Sequence, residues 1–579
     1  MTNNILIIVC LFCMSNIWAQ PDQITVIGKG QRDIEPSTRL LSSPKILDSI
    51  QNSSVPYYPI LFFQAPTKIT LDTIEAATVE TSSEKLKKLY PFYAKAGIGS
   101  ALMPLGELYF NSTRSRAYHY GCHTQHLSAF QTKISKQNVD YLTANFDRTN
   151  VSLYGNILQN TYQLKGKFNY ANEGFRYYGA RKTIDTLINY ADSSNKQRFQ
   201  SIGGELTFEG MNGDSSAFNY AINTRYNYFF TKPYKADSLD KWNSREHSAG
   251  FNFRGWYRYL NETFYGDLSV RFNGFRHGIA DSALSALDSS LMTNNTVIDI
   301  APGVLTQMFD NRLKVEVGAK LSFDIYSKTR VYLYPKVEIK YSMFNDIFIP
   351  YVGINGELKQ NSFRRFSELN PFIQIVQDSL RNENNLFNFY GGIKGTLSKR
   401  ISFNAVASFG RHIGMGLFVN DSVKINTFKV VYDTVSIMKV EGSLSYQLDE
   451  KLKIDGIGRF YSYQTNNNAY AWNLPQLQFV LRGNYNLFKK FYFQLDSDLE
   501  FGRRALVYDS TMSGVSMEEG QYIVNLKPVL DFNLQTEYRY NSRVSAFLQL
   551  NNVASVRYNR FFNYPVQGFQ LLGGITARF

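Results

Sequence analysis

A two-residue alternation of apolar and polar side chains, sustained over unusually long segments, constrains the fold of this chain more than any other feature. Between residues 313 and 325 every odd position is apolar, and the positions between them are glycine, polar or charged. The pattern recurs over 331–343, 264–273, 491–501 and 543–551. A period of two indicates a β-strand with one apolar face, and segments of about 12 to 18 residues can cross a bilayer at a tilt. Strands of soluble β-sandwiches are shorter, about five or six residues, which argues against that fold.

Turn-forming or charged residues divide the alternating segments into hairpins. Nine tight turns are predicted, centred on Gln159-Asn160, Asn212-Gly213, Asn261-Glu262, Asp310-Asn311, Asn345-Asp346, Lys399-Arg400, Glu450-Lys451, Lys489-Lys490 and Asn541-Ser542. Most connections between these turns are longer, such as residues 178–200, 278–293, 363–384 and 508–522. An alternation of short and long links is typical of outer-membrane barrels, in which the short turns are periplasmic and the long loops extracellular.

The hairpins also give a strand count. Nine turns imply 18 strands between about residues 142 and 557, a last strand at about 565–579 makes 19, and three more are predicted near 91–100, 105–113 and 117–131. The total of about 22 predicts an all-β fold: a transmembrane antiparallel up-and-down β-barrel over residues 91–579. Pro335 is an irregularity in this scheme, because a proline cannot donate to a strand ladder.

The first 90 residues do not share the alternation. Residues 5–14 are an apolar run followed by Ala19-Gln20, which predicts a cleaved secretory signal over residues 1–19. The alternative is a membrane anchor, but ten apolar residues are too few to span. Residues 20–90 are predicted to be a periplasmic segment, a reduced plug or a lumen insert. Cys122 is the only cysteine after the signal, so no internal disulfide is expected.

The composition fits an exported protein of the cell outer membrane. The chain has 40 Tyr and 44 Phe but only 4 Trp, and barrels concentrate such aromatic side chains at the two membrane–water interfaces. A formal net charge of +14 would suggest nucleic-acid binding in an intracellular chain. For an exported chain we expect no nucleic acid; outer-membrane lipid, lipopolysaccharide phosphates and acidic periplasmic or outer-membrane proteins are the expected partners.

Charged side chains form stripes on the polar face of several predicted strands. The candidate lumen-facing residues are Lys314, Glu316, Lys320, Asp324, Lys336, Glu338, Lys340, Asp496, Asp498 and Glu500. In a barrel this face lines the lumen, where such residues attract ions or a charged solute. The alternative is a solvated wall that pairs with an insert.

No cofactor, metal or catalytic site is predicted, and an enzyme is not expected. His119 and His123 share one face of a predicted strand about 13 Å apart, while His126 points the other way, so one metal ion cannot use all three. Cys122 has no obvious base beside it. The sequence contains no phosphate loop, zinc-ligand spacing, serine elbow or EF-hand loop.

The last strand carries the most specific signal. Phe569, Leu571, Ile575 and Phe579 lie on one face of a terminal alternating segment. Such a strand, ending on an aromatic residue, is similar to the signal read by the barrel-assembly machinery, to which its edge offers backbone groups for strand addition. The resemblance implies that this machinery is a partner.

The strand count and the alternation of turns and loops resemble the barrel of TonB-dependent receptors. The Tyr- and Asn-rich composition and the Ala19-Gln20 junction resemble the Bacteroidota version. The resemblance covers about residues 91–579 and implies uptake of a solute across the outer membrane. Receptors of that family place before the barrel a folded plug that is larger than residues 20–90. A second function therefore stays open, that of a plugless structural subunit that scaffolds an outer-membrane secretion or biogenesis complex.

Overall fold

The computed structural model describes most of the chain from Leu89 to the C-terminus. The described residues are 89–115, 117–130, 135–136, 139–140, 143–179, 196–210, 218–232, 244–276, 292–326, 328–373, 380–422, 426–508, 515–516 and 521–579. The predicted signal peptide, and all but the last two residues of the predicted segment 20–90, lie outside them. Both remain predictions.

Twenty-two strands form one antiparallel sheet. In chain order they are β1 (Phe92–Gly99), β2 (Met103–Asn111), β3 (Tyr118–Ala129), β4 (Phe146–Leu158), β5 (Tyr162–Arg176), β6 (Lys196–Gly210), β7 (Asn219–Thr231), β8 (Arg245–Tyr259), β9 (Glu262–Arg276), β10 (Met292–Met308), β11 (Leu313–Ile325), β12 (Thr329–Tyr341), β13 (Ile349–Lys359), β14 (Glu383–Ser398), β15 (Ile401–Asn420), β16 (Phe428–Leu448), β17 (Leu452–Thr465), β18 (Leu477–Leu487), β19 (Phe491–Phe501), β20 (Val529–Arg539), β21 (Val544–Asn551) and β22 (Gln570–Arg578). Consecutive strands pair with one another, and β1 also pairs with β22. The sheet is therefore a closed barrel, and the predicted fold class and strand number are confirmed.

The C-terminal residue takes part in the closure. The backbone N–H groups of Phe92 and Phe579 donate to each other's carbonyl oxygens at 3.0 and 3.1 Å, and their rings stack at 5.6 Å. The last strand is shorter than the predicted 565–579, because Tyr564–Pro565 pairs with Asn559–Phe561 in a small separate hairpin.

The two faces of the sheet differ in the way that the alternation predicts. On the outward face of β11 and β12, Val317 is 52% and Leu333 is 69% exposed, whereas Ser322 and Tyr334 on the inward face are buried. Outward-facing apolar side chains recur on strands all around the barrel. A band of this kind is suited to lipid and not to water. Within the described ranges, no helix is both long and apolar enough to cross a membrane.

Eight of the nine predicted turns are described, and they lie where consecutive strands meet, all at the same end of the barrel as both of its termini. The ninth, Asn212-Gly213, lies outside the described residues. Asp310, Asn311, Asn345 and Asp346 have positive φ angles, which Asn and Asp tolerate better than other side chains. By the usual orientation this end is periplasmic. Two connections at the opposite, outer end are also short, residues 100–102 and 326–328, so the outer links are not uniformly long.

Besides the small hairpin of residues 559–565 and another of Ser135–Lys136 with Val139–Asp140, two outer loops contain larger elements that the sequence did not predict. The link from β13 to β14 carries a helix, α1 (Phe363–Leu369), which begins where the Ser362 side chain accepts the N–H of Arg365. The link from β19 to β20 carries a three-stranded sheet made of Arg504–Tyr508, Val515–Ser516 and Gln521–Asn525. These elements pack at the outer mouth of the barrel and shape the candidate site.

Candidate functional site: the lumen and its outer mouth

Charged residues of β11 and β12 lie on the face opposite the exposed apolar one. The register sets Glu316 opposite Glu338 and Lys314 opposite Lys340, an arrangement of like charges that is unfavourable by itself. The ion pairs run within or diagonally across the strands instead. Lys336 Nζ lies 2.7 Å from Glu316, and Lys340 contacts Glu338. Opposite charges therefore interleave along this part of the wall.

Tyrosines that lie two strands away bind the same carboxylates. The Tyr265 hydroxyl donates to Glu316 at 2.5 Å, and the Tyr390 hydroxyl donates to Glu338 at 2.8 Å. Each carboxylate thus accepts both a lysine and a phenol, which fixes its position on the wall.

Two further predicted residues, Lys320 and Asp324, bind partners on another strand and on a loop. Lys320 Nζ lies 3.7 Å from Asp299, which also accepts from Arg271 at 2.7 Å. Asp324 accepts from the Asn382 side chain at 2.7 Å, and Asn382 belongs to the link between β13 and β14. The inner wall here holds a segment of the chain that lies against it.

The second predicted stripe lies on β19. Asp496 is 3.7 Å from Arg482 Nε, Asp498 accepts from Gln478 at 3.1 Å, and Glu500 lies 3.5 Å from Arg503. The structure thus gives partners to these three acids, while the attraction of ions or solutes by either stripe remains a prediction.

The remaining predicted residues lie apart from this wall network. Phe569, Leu571, Ile575 and Phe579 are exposed around β22, and their recognition by the assembly machinery remains a prediction. His123 Nε2 lies 3.1 Å from Glu107 and stacks on Tyr109, whereas His126 bonds to Thr149 and Ser128. Among the described residues, no three His, Cys, Asp or Glu side chains converge as metal ligands would.

The outer half of β13 leaves the barrel wall. Its ladder with β12 has only four residue pairs and ends at Val337↔Ile354. Val337 is two residues after Pro335 in the sequence. Beyond that point Leu358 packs against Val297 and Tyr334, and its carbonyl accepts from Arg271 of β9 at 2.9 Å. The segment after the last wall pair therefore crosses the inner face of the neighbouring strands.

A line of β-bulges marks where the wall bends. Irregular register occurs at Asn355/Glu357 in β13, at Asn385/Phe387 where β14 meets β15, and at His412/Met415 where β15 meets β16. Gly414 in the last of these has a φ of 73°, a conformation that glycine adopts without strain. Bulges sharpen the local bend of a strand, so these three adjacent irregularities act as one crease.

A glycine permits the close crossing of β13 over β12. A Cβ atom at Gly356 would lie 2.5 Å from Cδ1 of Tyr334, too close for any side chain. The Tyr334 hydroxyl in turn donates to Asn384 of β14 at 2.7 Å. Both arms of the β13–β14 hairpin are thus held on the inner side of β12.

Helix α1 is docked at the far end of this crossing, against β8, by one buried carboxylate. Glu246 of β8 is 1% exposed and accepts the backbone N–H groups of Phe363 and Arg364 at 2.7 and 3.3 Å. These are orphan donors of the first helical turn, to which an anion is well matched. A strand residue therefore caps a helix 117 positions away in sequence.

Aromatic side chains fill the mouth around α1. Phe363 contacts the rings of Phe199, Phe229 and Phe275 at centroid distances of 6.2, 5.9 and 5.3 Å. The buried cluster consists of Phe199, Phe229, Phe275, Phe363, Phe366, Phe372, Ile373, Leu380, Phe428, Val430, Phe561 and Tyr564, and we call it the outer cap. It joins β6, β7 and β9 to β16, which are far apart in the ring of strands, so it crosses the mouth.

Tyr564 lies at the centre of the outer cap. Its ring stacks on Phe372 at 3.7 Å, its hydroxyl donates to the Asn426 carbonyl, and Tyr178 packs beside it at 4.9 Å. Burial raises the pKa of the Tyr564 phenol well above its usual range, and the neighbouring Tyr177 and Tyr178 add to the shift. The centre of the cap is dry and holds these phenols neutral.

Two buried charged residues fasten the neighbouring loops. The Arg503 guanidinium donates to the carbonyls of Arg560 and Asn559 at 2.9 and 2.8 Å, which ties the last outer loop to the preceding one. Asp433 accepts the backbone N–H groups of Asn467 and Asn468 at 3.0 and 2.8 Å. Charge-assisted bonds of this kind are stronger than neutral ones, so these loops are firmly seated beside the cap.

Comparison with known proteins shows the fold. No protein-family model matches the sequence, and no curated protein matches it. Solved structures do match, including the pyoverdine outer membrane receptor FpvA from Pseudomonas aeruginosa PAO1, with a TM-score of 0.60 and 11% identity over 85% of this chain and 79% of that one. The FrpB iron transporter from Neisseria meningitidis matches with a TM-score of 0.64 and 10% identity over 85% and 82%. The siderophore receptor PirA from Acinetobacter baumannii matches with 0.61 and 12% over 84% and 80%.

At these identities the likeness concerns the fold alone. The chain has the barrel fold of TonB-dependent outer-membrane receptors, as the sequence resemblance implied. Together with the apolar outward band, this fold places the protein in the outer membrane.

Proposed function

We propose that this barrel takes up a solute across the outer membrane and that the outer cap controls entry. The observation that carries the proposal is a 22-stranded lumen whose wall is lined with charged and phenolic groups and whose mouth is crossed by the chain's own loops. A barrel of this size would leak unless its lumen were filled or gated. The cap supplies an occlusion at the outer end.

The segment before the barrel has a part in this proposal. We infer that residues 20–90 thread into the lumen from the periplasmic side, where Tyr90 lies beside Ser542 of the β20–β21 turn. Deleting this segment and recording single channels in planar bilayers tests the inference. An unchanged conductance would count against it.

A second function, that of a scaffold for an outer-membrane secretion or biogenesis complex, is favoured by one observation. Phe363, Ile373, Phe428 and Tyr564 of the outer cap are each 0% exposed. A mouth closed this tightly suits a structural subunit, which does not need an open lumen. A scaffold needs partners that stay bound, whereas a receptor needs a solute and an energy source.

Two measurements separate the functions: the growth of a strain that lacks the barrel, and the proteins that stay bound to the barrel when it is purified in mild detergent. Uptake requires a growth defect on a particular nutrient, matched by a mutant of the inner-membrane energising protein. Stable stoichiometric partners in mild detergent, together with normal growth on every nutrient tested, would overturn uptake and support the scaffold.

A further inference from the structure

The outer part of β12 has a neighbour on one side only among the strands that the structure describes. Residues 329–336 pair with β11, but the ladder with β13 stops at Val337↔Ile354. The outward side chains of this part, Val331 and Leu333, are 56% and 69% exposed. A strand edge at membrane depth leaves backbone groups that lipid chains cannot satisfy. This edge therefore calls for a polypeptide partner.

The segment that fits the edge is the part of β13 that has left it. Extending the observed register outward pairs Pro335 with Gly356, Tyr334 with Glu357, Leu333 with Leu358 and Tyr332 with Lys359. In that register Leu358 joins Leu333 on the lipid face, and the charged side chains of Glu357 and Lys359 face the lumen. The two-residue alternation of β13 thus continues through the segment as if it were wall strand.

We propose that the free edge of β12 is a docking edge for residues 355–360 of the same chain, and that the β13–β14 hairpin moves between the lumen and the wall. The crease across β13, β14 and β15 supplies the hinge. Leu358 has apolar neighbours in both positions, Val297 and Tyr334 inside and Leu333 outside. Neither position therefore exposes it to water.

Docking would open the outer mouth. Helix α1 follows β13 directly, so movement of β13 into the wall draws Phe363 and Phe366 away from the outer cap and breaks the Glu246 contact. The inference rests on the proposed function only for the purpose of the opening. The movement itself is measured by covalent trapping, which needs no knowledge of the solute.

Paired cysteines in the full-length protein, with Cys122 replaced by Ser, distinguish the two positions. Residues directly opposite on paired strands have Cβ atoms about 5 Å apart, within reach of a short thiol-specific cross-linker. The L333C/L358C pair is linked only if β13 docks on β12, because these side chains lie on opposite faces of the wall in the structure. The V297C/L358C pair traps the inward position.

The matched control is V317C/V337C, whose members are opposite each other in the β11–β12 ladder and should be linked completely in either position. We expect L333C/L358C to be linked within single chains and the linked protein to conduct more in planar bilayers. Linked V297C/L358C should conduct less than its unlinked form. Adding Glu246→Gln should speed linkage of L333C/L358C about tenfold, equivalent to about 1.4 kcal/mol, because it weakens the bonds to α1.

Two results would overturn the inference. One is complete linkage of V317C/V337C while L333C/L358C stays unlinked, with and without Glu246→Gln. The other is a cross-link from L333C to a second chain or to another protein, which would show that a different polypeptide occupies the edge. A different result would separate the two proposals. If linkage of L333C/L358C raises the conductance but loss of the barrel causes no nutrient-specific growth defect, the docking edge is retained and solute uptake is overturned.

Discussion

Replacing Phe363 by alanine tests whether the outer cap closes the mouth. The Phe363 side chain is fully buried and touches three aromatic rings of the inner wall. Truncation of a buried phenylalanine to alanine costs about 3 to 5 kcal/mol. If that loss falls on the docking of α1, the docked fraction falls at least 100-fold relative to the undocked one, because each 1.4 kcal/mol is about tenfold. We therefore expect Phe363→Ala to open the mouth.

Two assays report this opening. Single-channel recording in planar bilayers should show larger or more frequent conductance steps. Trypsin added from the outer side should cleave after Arg364 and Arg365, which lie in α1 and lose their protection when the helix leaves the wall. The control is Phe389→Ala, because Phe389 is 47% exposed on the lipid face and lies outside the cap.

A change in conductance means little if the barrel itself unfolds. The heat-dependent gel mobility of folded barrels must therefore be the same in both variants. If Phe363→Ala keeps that mobility and still matches the Phe389→Ala control in conductance and in cleavage, the outer cap does not close the mouth. In that case another part of the chain must close it, or the lumen is open already.

Three further outcomes follow from the same contacts. Conductance should rise above about pH 10, near the pKa of an exposed tyrosine. The pKa of the buried Tyr564 phenol is raised, so this group favours the closed cap while it is neutral and opposes closure as the pH rises further. Tyr564→Phe should reduce the rise in conductance. Arg503→Lys should leave the barrel folded but speed trypsin cleavage of the last outer loop, since lysine cannot hold several carbonyls in one fork. Ile575→Lys places a charge on the outward face of β22, which costs about 2 to 4 kcal/mol at mid-membrane, and should lower the yield of refolding into lipid vesicles.

The sequence was sufficient for the wall because a wall strand repeats a local rule. Leu313 to Ile325 alternate without exception, and the Asp310-Asn311 and Asn345-Asp346 turns adopt the positive φ angles that such residues tolerate. Each strand needs only its own period and its own turn to be identified. The count of 22 follows from adding these local signals.

The mouth could not be predicted in this way, because its contacts join residues that are distant in sequence. Glu246 fits the polar face of β8 like many other lumen residues, and its role appears only when α1 arrives beside it. One local signal was present but incomplete: Phe363 and Phe366 are three residues apart and follow Ser362, a spacing and cap typical of a short buried helix. Aromatic residues in a supposed solvent loop are a sign that the loop packs on something.

Pro335 lies where the wall, which the sequence predicts, meets the mouth, which it does not. Its sequence context is that of a wall strand, and the structure keeps it there, opposite Ala319 of β11. It cannot donate to a ladder on either side, and the β12–β13 ladder ends at Val337, two residues after it in the sequence. The position at which β13 turns inward is therefore determined by a residue of β12, the strand that β13 leaves. The direction and depth of that turn come from Gly356, which lets the chain pass over Tyr334, and from Glu246, which holds the end of the crossing. One local defect in the wall and one distant carboxylate together convert an ordinary hairpin into the part of the chain that fills the mouth.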